Sequence, residues 1–141
     1  MAALDNEKRI LSNLNQTYSL DLEKSTSGKI KDDLQVSVDF IWETNGIKIL
    51  FEVDSYNAAK IVFGQYVLLN HTKEYKNNCI LIVIHCYKNY NSERTKKYLD
   101  FAKEKLKYKI PFLVFNEIDW TQFIKSKSKQ QFINYLKKSL K

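Results

Sequence analysis

Apolar residues recur along this chain with two different periods. Leu4, Ile10, Leu11 and Leu14 form a stripe at helical spacing, which predicts a helix from Leu4 to about Leu14 with Asp5 available to cap it. From Gln35 to Trp42 the period falls to two: Val36, Val38, Phe40 and Trp42 take one face of a predicted strand, and Asp39 and Ile41 take the other. A second strand is predicted over Ile47 to Asp54, reached through Glu43-Thr44-Asn45-Gly46. The Asn-Gly pair tolerates the left-handed backbone of a tight turn and is the strongest hairpin signal in the chain. On the second strand Ile49, Phe51 and Val53 share a face, and Lys48, Leu50, Glu52 and Asp54 share the opposite one.

Between the first helix and the hairpin, residues 15–33 are polar and centre on Ser25-Thr26-Ser27-Gly28, so they read as a mobile loop. Beyond the hairpin, Asn57 is placed to start a helix whose inward stripe is Ala58, Ile61, Val62, Tyr66 and Leu69, fading near Lys73. The unbroken apolar run from Cys79 to Cys86 predicts a central strand covered on both faces. Ser92 is placed to cap a helix reaching about Tyr108, with Leu99, Ala102 and Leu106 inward; Ile110 to Phe115 reads as a short strand. Asp119 or Thr121 starts the last helical region, which ends in Phe132-Ile133-Asn134-Tyr135-Leu136. This alternation of helices and strands over 141 residues predicts one layered α/β domain spanning residues 1–141.

Charge divides the chain. Residues 1–60 hold seven basic and ten acidic side chains, whereas residues 61–141 hold sixteen and six, for a formal net charge of +7. A basic half beside an acidic cluster suits a polyanion such as DNA that meets the acids through metal ions, although lysine-rich helices are also ordinary solvated surfaces. Lys outnumbers Arg 21 to 2, which favours flexible point contacts with phosphates over bidentate reading of bases. Cys79 and Cys86 would stand about 20 Å apart in an extended strand, too far for a disulfide, and read as free thiols of a reducing compartment. With no apolar stretch long enough to cross a bilayer and no signal-peptide core, the expectation is an intracellular, soluble protein without membrane contact. His71 and His85 have no Cys or His at ligand spacing and are not read as zinc ligands.

The candidate chemistry lies in the hairpin. Pairing through the Asn45-Gly46 turn brings Glu52 beside the strand that carries Asp39, with Asp54 on the same face as Glu52. Carboxylates gathered on one edge repel unless a cation sits between them, and hard oxygen ligands favour Mg²⁺ or Mn²⁺. The ligand set expected on this reading is Asp39, Glu52 and Asp54, with the backbone carbonyl of Val53 as a further oxygen.

The strand Val36-Ser37-Val38-Asp39-Phe40, the strand Ile49-Leu50-Phe51-Glu52-Val53-Asp54, an early helix with Glu7, and the helix Ala59-Lys60-Ile61-Val62-Phe63-Gly64-Gln65-Tyr66 together resemble the PD-(D/E)XK nuclease superfamily. Within it the chain is most similar to the small archaeal Holliday-junction resolvases. The resemblance implies a restriction-endonuclease-like mixed sheet flanked by helices, and a metal-dependent DNA endonuclease that acts as a homodimer on branched DNA. It implies that Asp39 and Glu52 hold the metal, that Glu7 assists, and that Gln65 supports the site from its helix. Position 38 is Val where the motif often has Pro, and position 54 is Asp where the motif has Lys. Aspartate cannot supply the positive charge that stabilises a reacting phosphate. Lys60, on the helix after the acidic strand, is the expected substitute, and Lys29 and Lys31 are expected backbone contacts. The departure at position 54 also motivates an alternative: a catalytically inactive nuclease-fold protein that binds DNA or serves in an assembly.

Overall fold

A computed structural model describes residues 3–24, 27–31, 34–56, 58–75, 77–87 and 90–140, without the side chains of residues 3, 4 and 27–31. Its elements in chain order are α1 (Ala3–Tyr18), β1 (Ser27–Lys31), β2 (Leu34–Ser37), β3 (Phe40–Thr44), β4 (Ile47–Asp54), α2 (Ala59–Asn70), β5 (Cys79–His85), α3 (Ser92–Lys105), β6 (Phe112–Asn116), α4 (Glu117–Lys125) and α5 (Lys129–Ser139). The protein is mixed α/β, with a four-stranded sheet of order β3-β4-β5-β6. β3 runs antiparallel to β4, while β4, β5 and β6 are parallel.

The hairpin forms where Asn45 and Gly46 both take positive φ, 50° and 78°, leaving a two-residue turn between the paired residues Thr44 and Ile47. β5 is buried along its whole length, as its continuous apolar run requires. One face of the sheet packs Ile49, Phe51, Ile80 and Ile82 against Ile10 and Leu14 of α1, Trp120 and Ile124 of α4, and Phe132 and Leu136 of α5. The other packs Leu50, Leu81 and Val83 against Val62, Tyr66 and Leu69 of α2 and Leu99 and Ala102 of α3.

The predicted first strand is two strands. β2 ends at Ser37, β3 begins at Phe40, and the bend between them turns Val36 and Val38 toward α2 while Phe40 and Trp42 face α1, α4 and α5. Alternation on a continuous strand would have kept all four together. Part of the polar stretch read as a loop is β1, which pairs antiparallel with β2 in a separate two-stranded sheet. Ser25, Thr26, Asp32 and Asp33 of that stretch, and the predicted helix start Asn57, lie outside the described residues.

Helix ends differ from expectation in ways that side-chain bonding explains. α1 begins at Ala3, so Asp5 sits inside its first turn, and the helix runs on to Tyr18. Asn91, not Ser92, caps α3 by accepting from the Glu93 N–H, and Asn116 caps α4 by accepting from the Asp119 N–H. The last helical region is divided by Ser128, whose hydroxyl and Gln131 form a reciprocal capping box for α5. Ile61 and Leu106, expected inside, are exposed, whereas Ala59 is buried.

Candidate functional site

Asp39 occupies the bend at which β2 gives way to β3. Its backbone N–H donates to Phe51 C=O at 2.9 Å, extending the hairpin by one residue beyond the Phe40–Phe51 pair and setting Asp39 beside Glu52. Its carboxylate accepts from the Val53 N–H at 2.6 Å. Val53 thus enters the site as a donor, where the metal reading assigns its carbonyl. This bond also accounts for the broken strand, because a side-chain oxygen takes the β4 amide that a continuing strand would have met with its backbone.

Glu52, on the α2 side of β4, is met by Gln65, whose Nε2 donates to Glu52 Oε2 at 3.3 Å and also to Ser37 C=O. The amide thereby ties α2 to the end of β2 and to the acid together. Glu7 extends from α1 to complete a cluster of three carboxyls. Burial pushes Asp39 up to about 7, with hydrogen bonding and like charge from Glu7 adding to the rise; the Val53 N–H and Lys24 pull the other way. Burial likewise holds Glu52 well above the usual carboxylate range, reinforced by the charges of Asp39, Glu7 and Asp54, with Gln65 opposing.

Lys24 is the residue that sequence pattern missed. Residue 24 bridges antiparallel to Phe40, and its Nζ lies 3.6 Å from Glu7 Oε2. A single bridge has no period, so nothing in the polar stretch marks this lysine out. Lys60, the expected cation, is exposed and lines a groove between α2 and α3 with Phe63, Lys97, Tyr98 and Phe101. Lys48 lies at the other end of β4 and pairs with Glu43 at 3.6 Å. Lys29 and Lys31 are on β1, but their side chains lie outside the described residues.

Asp54 stands on the same face as Glu52 and is engaged elsewhere. Its Oδ2 lies 2.7 Å from Nδ1 of fully buried His85, its register partner on β5, and its Oδ1 accepts from the Tyr56 N–H at 3.1 Å. His85 in turn packs on Tyr90, ring centroids 4.3 Å apart. Of the expected three acids, Asp39 and Glu52 stand with Glu7, Gln65 and Lys24, while Asp54, whose charge still acts on Glu52, is hydrogen-bonded to His85. Among the described residues, no group of three or more His, Cys, Asp or Glu side chains is arranged to hold a metal ion.

No protein-family model, curated protein or solved structure matches this chain. The functional reading therefore rests on the geometry above and on the sequence motifs. The donor chemistry of the cluster does suit a hard divalent cation. Asp39 and Glu52 offer oxygen ligands only, and the charge of Asp39 raises Glu52, a repulsion that a bound cation relieves. Among the described residues, no helix is long and apolar enough to cross a membrane.

Proposed function

We propose that this chain is a metal-dependent DNA endonuclease built on a restriction-endonuclease-like sheet, with Asp39 and Glu52 as the metal-binding pair. The observation that carries this reading is their adjacency across the hairpin, with Gln65 braced against Glu52 and Glu7 and Lys24 alongside. A bound Mg²⁺ or Mn²⁺ would activate water and polarise the scissile phosphate. The protein's own part is positional and electrostatic. Gln65 fixes the Glu52 carboxylate, and the Val53 N–H fixes that of Asp39. Lys24, two-thirds exposed and held near the acids by Glu7, supplies the positive charge that Asp54 cannot. The lysine-rich second half of the chain supports contact with the DNA backbone, and branched junctions are the expected preferred substrates.

Folded protein is expected to nick duplex or four-way-junction DNA with Mg²⁺ or Mn²⁺, and Asp39→Asn to abolish nicking. Lys24→Met should lower the cleavage rate by about a hundredfold while leaving the rise in melting temperature produced by Mn²⁺ intact. Absence of cleavage with either ion on both substrates would sink the proposal.

The pairing of Asp54 with His85, at the position where the motif has Lys, favours a second reading: a nuclease-fold DNA-binding or assembly protein that does not cut. That protein would bind DNA equally well after Asp39→Asn and show no metal-dependent turnover.

A further inference from the structure

We infer that the β6 edge of the sheet is a self-association surface, and that its occupant is the β6 strand of a second copy, paired antiparallel about a two-fold axis at Val114. β6 is the terminal strand in the order β3-β4-β5-β6, and its principal packing partners are β5, α3 and α4. All five of its residues are partly exposed, whereas every residue of β5 is buried.

The backbone phase shows what the edge offers. The Leu81 N–H donates to Pro111 C=O at 2.9 Å, so position 111 turns its backbone toward β5, and by alternation 113 and 115 do the same. Phe112 and Val114 therefore turn both their N–H and C=O groups toward the open side, and Asn116 turns its N–H there, its C=O being taken by the first turn of α4. Among the described residues, no loop or turn offers a backbone hydrogen bond to Phe112 or Val114 there.

The segment is also self-complementary. In the antiparallel arrangement Val114 meets Val114, Leu113 meets Phe115, and Phe112 meets Asn116, so no charged side chains face each other within the strand. The Val114 pair would exchange both of its N–H···O bonds, and on either side the Asn116 N–H of one copy would donate to the Phe112 C=O of the other. Edge strands that must stay single usually carry lysine, proline or a bulge; Phe112–Asn116 contains no charge, and the adjoining Pro111 turns its backbone toward β5, away from the open side. The opposite edge differs: β3 carries Glu43 and is bridged at Phe40 by residue 24. A chain of net charge +7 repels its own copies, so an uncharged edge is where two of them can approach.

Sedimentation or light scattering of the full chain is expected to give twice the 16.7 kDa chain mass, with the dimer favoured by added salt as the net repulsion is screened. Val114→Lys should give a monomer with an unchanged far-ultraviolet circular dichroism spectrum. Val114→Cys, in a Cys86→Ser background, should form an intermolecular disulfide on oxidation, because a hydrogen-bonded antiparallel pair sets the α-carbons about 5.5 Å apart. A monomer up to near-millimolar concentration would overturn the inference. So would a dimer indifferent to Val114→Lys in which Val114→Cys does not cross-link, since it would be joined through another face such as the α2–α3 groove.

Discussion

The carboxylate of Asp39 accepts from the Val53 N–H while Glu7 crowds it, so one side chain both ends a strand and sits buried beside like charge. Burial raises Asp39 from 3.8 to about 7. For an acid whose folded pKa is raised, the favourable contribution is complete below the unfolded value and is lost as pH climbs through the folded one. Asn at position 39 can still accept from Val53 through its amide oxygen without carrying charge. Asp39→Asn is therefore expected to match the parent in melting temperature below about pH 4 and to exceed it increasingly through pH 7, reaching about 1–3 kcal/mol at pH 8. Thermal melts of both proteins across that range, without divalent ions, check the crossing. Glu52 and its strand face were legible in the sequence because a two-residue period is robust on β4. Lys24 was not legible, since its position depends on one bridge to Phe40.

At the scale of elements, legibility followed the source of each element's stability. β5 announced itself through its own apolar run, and the hairpin through Asn45-Gly46, because burial and turn chemistry are written locally. β1 has no such pattern: Ser27-Gly28-Lys29-Ile30-Lys31 is held by its pairing with β2, and pairing leaves no mark on either strand alone. The break at Val38-Asp39 escaped for a related reason, since the alternation Val36, Val38, Phe40, Trp42 continues unbroken through the bend that separates the two pairs onto opposite faces. Helix boundaries depended on which polar side chain turned back to the backbone. For α5 the reciprocal bonds of Ser128 and Gln131 satisfy two end groups. Ser128→Ala should cost about 1 kcal/mol of stability, read as a lower urea midpoint with an unchanged slope; no change would show that tertiary packing of Phe132 and Leu136 alone fixes the start of α5.

Across the whole molecule, the acids gather at the β3–β4 side of the sheet, and the lysine-rich half of the chain supplies β5 onward. A basic protein that holds DNA through phosphate contacts releases counterions, so its affinity should fall steeply and log-linearly with salt. Titration of labelled duplex in Ca²⁺ or without a divalent ion measures that slope, and the slope should be unchanged by Asp39→Asn if the lysines dominate holding. A salt-independent affinity would place binding on other groups. The layered α/β class was readable from the order of elements, whereas the hydrogen bond of Asp54 to His85 depended on His85 lying opposite it on β5. No local pattern reports that cross-strand neighbour.

The Asn45-Gly46 turn also has a reach that hairpin tips seldom have. Loop tips generally accept insertions, because what they join is insensitive to their length. Here the turn sets the registration that brings Asp39 level with Glu52, six residues further along β4, or about 20 Å away. With β4 clamped by helices on both faces, one added residue at the tip would be absorbed by β3, and Asp39 would slide past its partner with its side chain thrown to the other side of the sheet. The spacing of the two acids is thus measured out by a ruler whose zero mark is the most distant and most exposed part of the hairpin.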